Sequence, residues 1–269
     1  TVKALSEDAS FMCREEMGPW GFGTTDNPVF EGMFEASLAY VAGSVRAAEE
    51  VRDGAPLAFG IAGGLHHGDR SRASGFCVFN DPAIACTVLR ERFARVAYVD
   101  IDLHHGDGVQ ALFFDDPTVM TCSIHETGQH LYPGTGFVEE RGVGDTAVNV
   151  PLEPFTTGDV WLWAFEYGVM PRLREFDPQA IVLQMGTDPH FLDPLGHLNV
   201  AAQEWLEAVK TVQTLGLPIV ALGGGGYALE CVPRMWASAV MTLSGVPYDD
   251  AVPAAIPRDW GMTTFSDLH

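Results

Sequence analysis

Short runs of consecutive apolar residues alternate along this chain with longer stretches in which apolar positions recur every three or four residues. The runs are Leu57–Ala62, Val96–Ile101, Val119–Ile124, Ala147–Leu152, Ala180–Met185 and Pro218–Leu222. Each is of strand length and nearly continuous in apolar residues, as a strand covered on both faces must be. The helical stretches are Phe30–Val51, Asn80–Phe93, Gly158–Phe176, Gln203–Leu215 and Cys231–Leu243. Asn80-Asp81-Pro82 supplies a helix start with proline in the first turn. This alternation predicts an α/β fold of three layers, a mostly parallel central sheet flanked by helices. The first 30 residues lack periodicity; Gly18–Gly23 reads as a loop and Asp26-Asn27-Pro28 as a turn. Residues 125–146 are expected to form the longest loop. No repeat or linker divides the chain, so residues 1–269 read as a single domain. Thr1-Val2-Lys3 already looks helical, as though an N-terminal segment were lacking.

Composition narrows the function. Hydrophobic residues are 47% of the 269, enough for a large core. With 36 acidic against 15 basic residues the net charge is −21, which argues against nucleic acid and favours cationic partners. The same acidity also serves plain solubility. Five cysteines, Cys13, Cys77, Cys86, Cys122 and Cys231, form no C-x-x-C pair, and the odd count suits a reducing compartment, hence the cytoplasm. No run approaches the ~18 apolar residues of a membrane span, so no membrane partner is expected. Neither a G-x-S-x-G elbow nor a P-loop occurs.

In open parallel sheets, ligands bind beyond the carboxyl ends of the strands. Four of the predicted strands end in chemistry-bearing residues: Gly63-Gly64-Leu65-His66-His67, Asp100-Ile101-Asp102-Leu103-His104-His105-Gly106-Asp107, Gly186-Thr187-Asp188 and Gly223-Gly224-Gly225-Gly226-Tyr227. Asp100, Asp102 and His104 are spaced by two and share one face if extended. Asp102 and His104, with Asp188 from a neighbouring strand end, make an open catalytic metal site suited to Zn²⁺ or Fe²⁺. His66 and His67 can supply the base and acid that a metal-activated water needs. Alone they would read as a surface or capping pair. Asp100 and Asp107 remain to orient them. Gly223, Gly225 and Ala228 also fit a dinucleotide fingerprint, but after the last strand rather than the first. The other reading is close backbone approach to a ligand, with Tyr227 presented to polarise a carbonyl.

These motifs, together with Ala73-Ser74-Gly75-Phe76-Cys77, Tyr132-Pro133-Gly134-Thr135-Gly136 and Val148-Asn149-Val150-Pro151, resemble the histone deacetylase family from about Phe30 to Leu243. Asn80-Asp81-Pro82 and Leu192-Asp193-Pro194-Leu195 are similar to its bacterial acetoin-utilization branch. The resemblance implies zinc on Asp102, His104 and Asp188. His66 and His67 would be the tandem catalytic histidines, with Asp100 and Asp107 as partners, and Tyr227 the oxyanion donor. It implies an acyl-lysine tunnel walled by Phe76 and Tyr132, with Gly75 beside it and Leu195 at its rim. Tyr132 departs modestly from the family's usual Phe. A structural K⁺ would be bound by Asp100, Asp102, His104, Ser123 and Ile124, and a second monovalent site partly by Phe113, Asp116 and Val119. A rim aspartate is sought in Glu7–Gly18, with Asp8 as candidate. The family also carries an earlier strand.

The family shares its ancestry-like fold with arginases, which hold two metals through D-x-H-x-D. Here Gly106 stands at the second carboxylate and His190 where another is expected, against a dimetal ureohydrolase. The expected function is metal-dependent hydrolysis of the acetyl amide of acetyl-lysine in proteins. The alternatives are an acetylpolyamine amidohydrolase or an inactive acyl-lysine binding module. The partner is thus an acetylated protein or a small acetylated amine; oligomeric state is left open.

Overall fold

The structure, a computed structural model, describes residues 2–8, 13–253 and 263–267. Two short helices, α1 (Val2–Glu7) and α2 (Arg14–Met17), precede α3 (Met33–Arg52); Thr1 lies outside the described residues. Six strands follow: β1 (Leu57–Gly60), β2 (Val96–Asp100), β3 (Val119–Glu126), β4 (Ala147–Leu152), β5 (Ala180–Gln184) and β6 (Ile219–Leu222). Between them lie α4 (Asp81–Arg90), α5 (Asp107–Phe113), α6 (Gly158–Ala164), α7 (Met170–Phe176) and α8 (Ala202–Gln213), and α9 (Val232–Leu243) follows β6. All strand pairings are parallel, in the order β1-β6-β5-β2-β3-β4.

Alternating side chains on each strand feed two separate cores, as the two-residue period of a strand requires. Val99, Ile124, Leu183 and Ala221 face Trp161, Phe165, Trp205 and Met235 on the α6–α9 side. Tyr98, Val119, Val182 and Val220 face Ala48, Leu89 and Val109 on the α3–α5 side. Burial on both faces explains why these strands read as continuous apolar runs. Among the described residues no helix is long and apolar enough to cross a membrane.

Boundaries shift where local chemistry intervenes. β1 ends at Gly60 because Gly63 N–H turns back onto Gly60 O at 2.9 Å. The predicted helix 158–176 is broken by a π-helical turn, Phe165–Val169. Pro171, early in α7, has no N–H to continue an α ladder, and a π turn accommodates the fault. β3 runs on to Glu126, shortening the 125–146 connection.

Candidate active site

The strand order places a switch point between β2 and β5. From β2 the chain winds one way through β3 and β4, and β5 then returns to the other side of β2. A crevice opens between the carboxyl ends of such a pair. Asp102 and His104 follow β2 there, and Asp188 follows β5.

The three side chains converge. Their ligand atoms lie within 4.8 Å of one another, and all three residues are buried. His104 Nδ1 is 3.3 Å from Asp102 Oδ1 and 3.1 Å from Asp188 Oδ2. The outer oxygens are fixed from behind: Asp102 Oδ2 accepts from Gln184 Nε2 at 2.7 Å and Gly225 N–H at 2.8 Å, and Asp188 Oδ1 accepts from Leu103 N–H at 2.9 Å. A Cβ on Gly186 would collide with Asp102, and one on Gly225 with Asp188. Glycine is therefore required at both positions for the backbone to close round the carboxylates. Burial pushes the Asp188 carboxyl up to about 7, and the charge of Asp102 adds to it. Two buried carboxylates and one imidazole, pre-oriented by hydrogen bonds to their far sides, are a donor set that fits a divalent cation.

His66 and His67 stand opposite. Their Nδ1 atoms are 2.8 Å from Asp100 Oδ2 and 2.6 Å from Asp107 Oδ1, so each donates N–H to its own carboxylate. Their Nε2 atoms are 3.1 Å apart, a contact that requires a proton on one of them. Burial opposes charge on His66, but Asp100 and Asp102 outweigh it and push it up to about 9. His67 is pushed down to about 4 by burial and by the charge on His66, against the pull of Asp107. The carboxylates beside His66 thus favour charge there, and burial disfavours it on His67. Asp100 Oδ2 also accepts from Tyr98 OH at 2.6 Å.

The backbone under the histidines is held by Asn80 and Asp81, at the start of α4. Asp81 accepts from Gly64 N–H and Leu65 N–H, both at 2.9 Å. Asn80 Nδ2 donates to His66 O at 3.1 Å and Gly68 O at 2.8 Å.

A cavity of ≈ 490 Å³ opens over this floor. Gly75, Phe76, Tyr132, Leu195 and Tyr227 line it, together with the two histidines and the Asp102–His104–Asp188 set. Gly75 and Phe76 form a tight hairpin turn at φ +48° and +68°, closed by Cys77 N–H to Ser74 O at 2.8 Å. A positive φ is rare for a bulky side chain. A Cβ on Gly75 would press on His67 and Tyr132. The Tyr132 hydroxyl, the departure from the family's usual Phe, pairs with Ser74 Oγ at 2.5 Å and ties the two walls. The Phe76 and Tyr227 rings meet edge-on at 6.0 Å.

Asp8, the candidate for a rim carboxylate, is not among the residues that line the cavity. Asp26 is, from the segment read only as a turn. Residues 9–12, within Glu7–Gly18, lie outside the described residues. Of the residues assigned to a structural K⁺, Asp100 is in register with Ser123, and past the end of β2 Glu126 N–H donates to Leu103 O at 2.9 Å, between Asp102 and His104. Phe113, Asp116 and Val119 share the turn into β3, where Asp116 N–H donates to Phe113 O at 2.9 Å. His190 faces away from the site: its Nε2 is 3.0 Å from Asp267.

A family model described as "Histone deacetylase domain" matches residues 2–243. The chain belongs to the histone deacetylase family. It is 41% identical over 269 residues to the acetoin utilization protein AcuC of Bacillus subtilis, covering 91% of this chain and 70% of that protein. It is 39% identical over 232 residues to histone deacetylase clr6 of Schizosaccharomyces pombe, covering 85% of this chain and 57% of that protein. The solved structure of an HDAC homolog from Aquifex aeolicus matches with a TM-score of 0.89 at 31% identity, over 99% of this chain and 78% of that one.

Proposed function

We propose that this chain is a metal-dependent amidohydrolase that removes the acetyl group from acetyl-lysine in proteins. The observation that carries the reading is one cavity in which a buried Asp102–His104–Asp188 set faces the His66–His67 pair beneath an aromatic entrance. A divalent ion held by that set, Zn²⁺ or alternatively Fe²⁺, would supply Lewis acidity toward the acetyl carbonyl and a nearby water.

The protein's own groups do the rest. Phe76 and Tyr132 clasp the methylene stem of the lysine and keep bulk water out. Neutral His67, fixed by Asp107, takes the proton of the attacking water at Nε2 as general base, once that water has displaced its Nε2 contact with His66. His66, kept protonated by Asp100, delivers a proton to the leaving amine directly or through His67. Tyr227 donates its hydroxyl hydrogen bond to the oxygen on which charge develops. Burial raises the Tyr227 phenol above its ordinary value, so it remains a donor.

Leu195, which lines the cavity, is exposed and apolar and suits residues flanking an acetyl-lysine in a polypeptide. Asp26 is placed to accept hydrogen bonds from that polypeptide's backbone. We assign K⁺ to the neighbourhood of Asp100, Asp102, His104, Ser123 and Ile124 as a structural ion held largely by main-chain oxygens. The five free cysteines favour a reducing, cytoplasmic setting.

The test is turnover of an acetyl-lysine peptide beside that of N-acetylspermine, with metal supplied. Peptide turnover at the higher kcat/KM is expected. Preference for acetylspermine would replace the substrate with a polyamine. Tight peptide binding without turnover of either would make the chain an acyl-lysine binder.

A further inference from the structure

Tyr227 stands five residues beyond the end of β6. Four glycines lead to it. A Cβ on Gly224 would collide with Gln184, and one on Gly226 with Thr187, so this segment lies against the end of β5 and the loop after it by backbone alone. No side chain in Gly223–Gly226 can lock the position of Tyr227.

The grip comes from outside the segment. Asp193, a buried carboxylate in the loop after β5, accepts at Oδ2 from Tyr227 N–H at 2.7 Å and Ala228 N–H at 3.3 Å. Its Oδ1 accepts from Leu195 N–H at 3.0 Å, and its own N–H donates to His190 O at 2.8 Å. One carboxylate thus joins the loop that carries Asp188 and the rim residue Leu195 to the backbone of Tyr227, 34 residues away. An Asx turn explains the contact with Leu195, two residues on. It does not explain a carboxylate turned toward two N–H groups of another segment.

We propose that Asp193 is a positioning residue for Tyr227, its carboxylate fixing the backbone from which the phenol reaches the substrate carbonyl. The proposal rests on the reading of Tyr227 as oxyanion donor given above. A carboxylate suits the task because both oxygens accept, so each segment is met by an acceptor. An asparagine offers one oxygen and one NH₂, and the NH₂ must face an N–H on one side. A burial site for a charge is costly unless hydrogen-bonded, and these three N–H groups supply the bonds.

The test is a double-mutant cycle on the metal-loaded full chain with one acetyl-lysine peptide: Asp193→Ala, Tyr227→Phe and the pair together. Asp193→Ala is expected to lower kcat by about 10²-fold, the cost of a misplaced catalytic group. KM and bound metal should stay near those of the parent. In the Tyr227→Phe background the same change is expected to alter kcat by less than about threefold, because the hydroxyl that Asp193 places is already gone. A second readout is amide hydrogen exchange, expected to quicken in residues 223–228 and not in β2 or β5. Full additivity of the two losses, or exchange spread through the fold, would overturn the proposal in favour of a general stabilising role. Should Asp193→Ala not fold, the volume-conserving Asp193→Asn runs the same cycle and decides. If Tyr227→Phe keeps full kcat, the reading of Tyr227 itself fails. If Tyr227→Phe is impaired while Asp193 variants are not, only the present proposal does.

Discussion

Replacing Tyr227 by Phe removes one oxygen and nothing else from the cavity. The ring that meets Phe76 edge-on at 6.0 Å is retained, and the backbone N–H held by Asp193 is untouched. A hydroxyl that only packed would cost little. Even a neutral hydrogen bond contributes only about 0.5–1.5 kcal/mol net. A donor aimed at developing negative charge in a water-poor cavity is worth about 2.7–4 kcal/mol, or ~10²–10³ in kcat. The Tyr227 side chain is in the latter setting: it borders the same cavity as Asp102, Asp188 and the His66–His67 pair. The assay is steady-state kinetics on one acetyl-lysine peptide at saturating metal, with bound metal measured on the same samples. The expected result is a kcat lower by two to three orders of magnitude, with metal content unchanged because the phenol is not a ligand. A kcat within about threefold of the parent, no more than a weak neutral hydrogen bond contributes, would refute the role given to Tyr227.

Phe76→Ala opens one wall of the tunnel; leaving even two lysine methylenes uncovered, at ~0.8 kcal/mol each, lowers kcat/KM by about tenfold, read by peptide kinetics. Tyr132→Phe keeps the ring and removes the 2.5 Å bond to Ser74 Oγ, and Ser74→Ala removes it from the other side. Both should raise KM by about two- to tenfold with kcat near the parent value, and the double variant should be no worse than either alone.

The parts of this protein that were legible in its sequence share a physical cause. Strands buried on both faces must be apolar at every position, so β2, β3 and β5 announce themselves, and any polar residue just beyond them is conspicuous. Asp102, His104 and Asp188 stand out in that way, as do His66, His67 and Tyr227 beyond β1 and β6, and all six line one cavity. The residues that escaped act through contacts between distant segments. Asp81 reads as a helix start, yet its carboxylate holds the backbone of Gly64 and Leu65, 17 and 16 residues away. Asp26 reads as a turn residue because Asn27-Pro28 follows it, and nothing local reveals that the turn ends at the cavity mouth. Asp193 carries no periodic signal, and its grip on Tyr227 exists only once β5 and β6 lie side by side. The π turn within 158–176 is hidden because both flanking segments keep helical spacing.

The last such contact ties the chain beyond α9 to the loop after β5. Arg234 on α9 is buried and donates to Phe265 O at 3.0 Å and to Asp267 Oδ1. Asp267 Oδ2 also accepts from Ala202 N–H at 2.7 Å, at the start of α8, and from His190 Nε2 at 3.0 Å. Asp267→Asn leaves Arg234 without its counter-charge. Removing one partner of a buried pair costs about 3–5 kcal/mol. At roughly 2–4 °C per kcal/mol for a chain of this size, the melting midpoint should fall by on the order of 10 °C at neutral pH. Burial works against charge on Asp267, but the hydrogen bonds from His190, Ala202 N–H and Arg234 outweigh it and hold the carboxyl well below the usual carboxylate range. A carboxyl depressed in the folded state stabilises fully above its unfolded value, about 3.9, and that contribution is lost as pH falls toward the folded value. The gap between the parent and Asp267→Asn should therefore be widest near neutral pH and narrow steadily as pH falls below about 4. Melting curves at a series of pH values read it directly. A gap that is absent at neutral pH, or that keeps its width into acid, would show that Asp267 does not hold the Arg234 charge in the folded protein.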